Sequence, residues 1–360
     1  MNTTLPTWKL LKQNPHLFQR YFVKEYMIHA CREFFLNRKY HELESPIMTP
    51  ALPQERYMSP LHTTVTFGDG STKKLYITPT TETYNKKILA AGLGEHFVIT
   101  KVARGLEQIG HNHNPEFTML EWYHLDADYT DIMNDCEELF RYMKSFLDSK
   151  FQNELPHPDY IFGDKIFYAG EVIDISEGWD RLSVPDALLN ICGIKLEEIQ
   201  DIKKFREVAK EKGYNVSDTD DWQIIFELIF ASEIEPTFSK TKPTFVYNYP
   251  KIMCPLTQEN KDNPLVCEKV ELYIAGKELG NGYTELRDWE EQYKRFKIEE
   301  EAREQLGLEK IEFDHDLVDA LKEGLPDVAG IGVGLDRVAM LFANAKYISE
   351  VNYFPGSDWK

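Results

Sequence analysis

Residues 104–123, RGLEQIGHNHNPEFTMLEWY, constrain the fold more than any other stretch of the chain. Phe97–Arg104 is short and β-prone, and Glu116–His124 alternates and is rich in aromatics. Two strands joined by a loop carrying Gly, Asn and Pro are expected. Period-two geometry then puts Phe117, Met119, Glu121 and Tyr123 on one face of the second strand, with Glu116, Thr118, Leu120 and Trp122 on the other. One wall therefore carries an aromatic ring, a carboxylate and a phenol, as a nucleotide site would.

With 360 residues, 42% of them hydrophobic, the chain can bury one large core or two modest ones. There is no apolar run of membrane length and no signal-peptide pattern at the start, so a cytoplasmic protein without a membrane partner is expected. The five cysteines are odd in number and lack a CxxC pair, which points to ordinary buried thiols. A net charge of −19 argues against a broad nucleic-acid footprint, because phosphate neutralisation supplies most non-specific affinity.

Leu11–Asn37 reads as a helix from its three-to-four spacing of apolar positions, and Lys39–Pro50 as a strand ended by prolines. Asp128–Lys150 begins acidic and ends basic, as suits a helix dipole. A mostly helical insertion is expected at about 183–232, followed by strands at Thr244–Tyr249 and Val270–Tyr283 and a charged helix at Trp289–Leu306.

The segment VELYIAGKELGNGY is read as a hairpin turning at Ala275-Gly276. Tyr273 then opposes Glu278 and Glu271 opposes Gly280, so Glu271 and Glu278 share a face and can hold magnesium. Glu285 has the opposite parity from Glu278. It joins the site only if Gly280–Gly282 makes a bulge.

HNPEFTMLEWY after an arginine strand resembles motif 2 of class II aminoacyl-tRNA synthetases, in the form shared by lysyl-tRNA synthetases and the shorter elongation factor P (R)-β-lysine ligases. Arg32–Met48 resembles motif 1, Gly330–Leu341 (GIGVGLDRVAML) motif 3, and Lys269–Asp288 the strands that precede it. The resemblance implies one α+β catalytic domain over 1–360, an antiparallel sheet flanked by helices, and a homodimer built on motif 1. It implies ATP as substrate and Mg2+ as cofactor. Arg104 would bridge the substrate carboxylate and the α-phosphate, and Phe117 and Arg337 would sandwich adenine. Glu107, His113, Gly332 and Gly334 would lie near the nucleotide, and Glu271 and Glu278 would take the metal. Glu285 and Tyr123 would receive a lysine-like ε-ammonium and Glu82 the substrate amino group, with Glu121 and Asn281 beside them.

The chain departs from the family at Ala103, usually aromatic, at Leu106, usually acidic, at the missing loop arginine, and at Thr80-Thr81, usually Ser-Pro. Gly332 matches the lysyl-tRNA synthetases, whereas the β-lysine ligases carry alanine. About thirty residues precede motif 1, so an anticodon-binding barrel is not expected there. The leading expectation is activation of lysine or (R)-β-lysine as an adenylate, with transfer to a lysine side chain of elongation factor P. The alternatives are a lysyl-tRNA synthetase-like domain charging tRNA and a non-catalytic synthetase-like binding protein.

Overall fold

The computed structural model describes residues 5–105 and 109–359. Its strands are β1 His41–Glu42, β2 Met48–Thr49, β3 Leu61–Thr66, β4 Thr72–Ile77, β5 His96–Ala103, β6 Glu116–Leu125, β7 Lys165–Tyr168, β8 Glu171–Asp174, β9 Asp180–Ser183, β10 Thr244–Pro250, β11 Val266–Ile274, β12 Lys277–Thr284 and β13 Val328–Gly334. The α-helices are α1 Thr7–Gln13, α2 Phe18–Asn37, α3 Glu82–Ala90, α4 Tyr129–Lys150, α5 Val184–Ala187, α6 Ile202–Glu211, α7 Trp222–Ile229, α8 Trp289–Gln305, α9 His315–Glu323 and α10 Leu335–Phe342.

One eight-stranded sheet, ordered β1-β5-β6-β13-β12-β11-β10-β9, organises the molecule. Its inner pairs are antiparallel, and only the outermost strands, β1 on β5 and β9 on β10, run parallel. Helices cover both faces. Leu120 and Trp122 of β6 point into a core shared with α2, α4 and α10, while Tyr123 points the other way, into a cluster with Leu89 of α3, Phe296 of α8 and Leu317 of α9. The alternation read in 116–124 is thus the division between structural core and opposite face.

Asp128 caps α4 by accepting from the Thr130 amide at 2.7 Å, and Asp131 returns the bond to the Asp128 amide. Residues 184–237 form short helical elements whose apolar sides close a second core against β10 and β11. Two expected elements break. Pro15 lacks an N–H and separates α1 from α2, so no continuous helix runs over 11–37. The expected strand over 39–50 becomes two strands in different sheets: β1 pairs with β5, β2 pairs with β4, and Pro46 lies between them.

The hairpin of β11 and β12 turns at Ala275 and Gly276, whose φ values of +51° and +68° suit a type I′ turn. Tyr273 pairs with Glu278 as expected, but Leu272 pairs with Gly280, leaving Leu279 as an extra residue. Glu271 therefore faces Asn281, not Gly280. The bulge sits at Leu279, ahead of the Gly280–Gly282 position expected for it. It still reverses parity, so Asn281, Tyr283 and Glu285 follow Glu278 onto the cavity side.

Close packing of β12 on β13 yields a contrast between two glycines. A Cβ on Gly282 would lie 2.6 Å from the Gly330 carbonyl and from Ile331 Cβ, whereas one on Gly332 would meet its nearest atom, Glu121 Cγ, at 3.5 Å. In urea unfolding, Gly282→Ala is expected to lose about 1–3 kcal/mol. Gly332→Ala should change stability by less than about 1 kcal/mol.

Candidate active site

On the side of the sheet away from α2 and α4 lies a cavity of about 800 Å³. Register builds its floor. One row across the sheet runs Glu271, Asn281, Gly332 and Glu121, and the next runs Lys269, Tyr283, Gly330 and Tyr123. Two glycines at the centre of these rows leave a trough between the side chains of β6 and β12. A Cβ on Gly330 would meet the Tyr123 ring at 2.6 Å, so that ring leans across the glycine.

Helix α3 supplies one end. Glu82 and Lys86 are one turn apart, and the Lys86 ammonium lies 2.5 Å from Glu82 Oε1 and 2.6 Å from Glu285 Oε2. Lys86 is 1% exposed, behind the two carboxylates. Burial, then Glu82, push the Glu285 carboxyl up to about 8 against the pull of Lys86. Glu121 accepts from the Thr81 amide at 2.9 Å, the Thr80 hydroxyl at 2.8 Å and the Asn85 amide at 3.1 Å. Burial raises its carboxyl in spite of these donors. Asn281 Oδ1 is buried without a hydrogen-bond partner.

A second acidic group lies on β11 and β12. Glu271 Oε2 accepts from the hydroxyls of Tyr249 at 2.6 Å and Tyr273 at 2.8 Å, and Oε1 lies 2.8 Å from Lys269 Nζ. Burial opposes ionisation of Glu271, but Lys269 and the two phenols hold its carboxyl below the usual range. Burial and the neighbouring Glu271 charge push Glu278 up to about 7.

Arg104 follows the end of β5 and lines the cavity. Its Nε donates to the Pro79 carbonyl at 3.3 Å, and its guanidinium carbon lies 5.4 Å from the centre of the Phe117 ring. Arg337 donates to the carbonyls of Glu278 at 2.7 Å and Asn112 at 3.2 Å, which fixes it between β12 and the loop before β6. Arg104 thus lies over the ring expected to stack on adenine. Arg337 is held by the backbone carbonyls of Glu278 and Asn112.

The cavity gathers Arg104, Glu82, Glu121, Tyr123, Glu271, Glu278, Asn281, Glu285 and Gly332. Phe117, Arg337 and Gly334 lie outside its lining, on the Arg104–Glu278 side. His113 is exposed and its carbonyl accepts from Gly110 at 3.2 Å. Glu107 falls outside the described residues. Sequence reasoning misses Lys86, Lys269, Tyr273, Tyr283 and Glu55. The first four carry a signal: Lys86 stands four after Glu82 on a helix, and the others stand two from Glu271 or Glu285 on strands. Glu55 carries none. It reaches the cavity because Arg303 donates to the carbonyls of Glu55, Arg56 and Met58 at 2.7–3.1 Å.

Sequence comparison places relatives beside this geometry. The family described as tRNA synthetases class II (D, K and N) matches residues 5–358. A lysine–tRNA ligase of Legionella pneumophila (strain Corby) is 34% identical over 336 residues, covering 93% of this chain and 64% of the relative. That of Pasteurella multocida (strain Pm70) is 34% identical over 344 residues, covering 94% and 64%, and that of Actinobacillus pleuropneumoniae serotype 7 (strain AP76) is 32% identical over 346 residues, covering 96% and 65%. The chain thus spans about 64% of the length of these curated relatives.

Such a fold implies magnesium, and the donor set fits an ion that arrives with phosphate. Among the described residues no three His, Cys, Asp or Glu side chains form a metal cage. Magnesium is commonly held by one or two carboxylates plus substrate phosphates. Glu278, kept partly protonated beside Glu271, forms with it a pair whose repulsion a divalent cation relieves.

The raised Glu278 carboxyl also has a stability consequence. The unfolded chain ionises this group near 4.5 and the folded chain only near 7, so its contribution favours folding at low pH and is lost as pH rises through that window. Glu278→Gln is expected to narrow the loss of stability between pH 5 and pH 8, measured by denaturant midpoints in the two buffers.

Proposed function

The chain belongs to the class II tRNA synthetases (D, K and N), and we propose that it activates lysine or (R)-β-lysine with ATP as an aminoacyl-adenylate. One observation carries this reading. Nine glutamates and three basic residues line the cavity, and the buried carboxylates of Glu82 and Glu285 lie on α3 and past β12 while Arg104 lies on the β5–β6 side. Enclosed ammonium groups need anionic partners, so a ligand with two amino groups and one carboxylate suits this distribution.

In the proposed reaction a substrate carboxylate oxygen attacks the α-phosphorus of ATP. The new bond forms in line with the departing pyrophosphate, and no covalent enzyme intermediate is required. Arg104 has the planar fork to hold carboxylate and phosphate together. Glu82 and Glu285 hold the two ammonium groups, Tyr123 and Asn281 flank them, and Arg337 and Phe117 take the base. Magnesium on Glu271 and Glu278 supplies charge neutralisation at the phosphates.

The acyl acceptor is proposed to be a lysine ε-amine of elongation factor P. Glu55, Glu227, Glu235 and Glu299 line the cavity from the 54–59 segment, the 222–235 helical stretch and α8, and this wall favours a cationic acceptor over a polyanion. Transfer to tRNA is the second reading. It is favoured by the relatives' names and by the glycine at 332, where the family's β-lysine ligases carry a methyl group that here would touch Glu121 Cγ at 3.5 Å. We also propose a homodimer through α2 and β1. It is supported by the place of β1 at the sheet edge and by the exposure of Leu36, Ile47 and Met48.

ATP–pyrophosphate exchange with α-lysine, both β-lysine enantiomers and a panel of other amino acids tests the activation step. Exchange with a diamino acid alone is expected, and none with any substrate would leave a binding protein. Labelled acceptor assays with elongation factor P and with tRNA then separate the two transfers. Arg104→Ala and Glu278→Ala are expected to abolish exchange. Glu285→Ala should raise KM by about tenfold or more while retaining measurable kcat.

A further inference from the structure

Lys86 lies behind the cavity wall and does not line it. It is 1% exposed, and its ammonium bridges Glu82 Oε1 and Glu285 Oε2 from behind at 2.5 and 2.6 Å. Each carboxylate lines the cavity while giving one oxygen to this internal cation. Glu82 is on α3 and Glu285 follows β12, so Lys86 is the charge that ties these elements together.

We propose that Lys86 is a positioning residue that sets specificity, a built-in counter-ion holding Glu82 and Glu285 at one separation so that the cavity selects ligands carrying two ammonium groups. This rests on the reading of the cavity as a diamino-acid site. Glu82 and Glu285 each present a carboxyl to the cavity while Lys86 contacts both from behind, and because burial and Glu82 keep Glu285 up to about 8, an incoming ammonium group completes its ionisation. Without Lys86 the two carboxyls lose the cation between them, and Glu285 loses the charge that pulls its carboxyl down. The groups around them are Glu121 and Tyr123 on β6, Tyr283 on β12, Lys269 on β11, Glu55 on its loop, Glu299 on α8 and Arg104 beyond β5. Of these, Lys269 and Arg104 are cationic; Lys269 is paired with Glu271, and Arg104 lies on the side proposed for the carboxylate. The neighbours do not replace the lysine.

The test is calorimetric binding of L-lysine, both β-lysine enantiomers and norleucine to the full chain, with wild type, Lys86→Ala and Lys86→Gln, across pH 6–9. Thermal melts verify folding. Wild type is expected to bind a diamino acid and reject norleucine. Both variants should lose about tenfold or more in diamino-acid affinity and narrow the preference over norleucine. Their binding should move to higher pH, because Glu285 then loses the cation that lowers its carboxyl. Added propylammonium should restore affinity to Lys86→Ala and not to Lys86→Gln, in which the space is filled. Should either folded variant bind the diamino acid as wild type does, with the same pH profile, the role of Lys86 is overturned. If Lys86→Ala alone fails to fold, binding by Lys86→Gln decides between these outcomes. Absence of amino-acid binding by wild type overturns the diamino-acid reading itself, and the proposal with it.

Discussion

A single extra residue, Leu279, decides the site. Without that bulge, strict alternation would keep Glu278 and Glu285 on opposite faces of β12. With it, Glu278, Asn281, Tyr283 and Glu285 share the cavity side, aligned through β13 with Glu121 and Tyr123. The pairing of Glu285 with Lys86 depends on this register, whereas Glu278 and Glu271 share a face ahead of the bulge. A shift by one residue would carry these side chains to the opposite face, against the core with α4.

The glycines of β13 make the register usable. Gly330 and Gly332 interrupt two rows of side chains and leave a trough where a ligand can approach the backbone. On the other face Ile331 and Val333 fill the core, so the same strand anchors the fold with its odd positions and clears the site with its even ones.

The site is also a collection of buried charges, each costly alone and tolerated through a partner. Lys86 is shared by Glu82 and Glu285, and Lys269 pairs with Glu271. Glu278 has the neighbouring Glu271 charge against it and rises to about 7. This imbalance marks a place where a cation gains by binding, as is common where a fold gives up stability for function.

Much of the architecture is legible in the sequence, for local reasons. Alternation in 116–124 separates Leu120 and Trp122 from Glu121 and Tyr123, and the Ala-Gly turn locates the hairpin. Motif likeness supplies the rest of the sequence-based site. The break of the first helix at Pro15 is also readable, from the missing N–H. Periodicity and turn chemistry act over a few residues, so the chain by itself determined its strands, helices and the faces of β6. Only the tertiary structure decided which residue of β12 bulges, that Arg303 carries Glu55 to the cavity, and that Lys86 lies between carboxylates of α3 and β12. Those are contacts between distant segments, fixed by how the layers pack around the sheet.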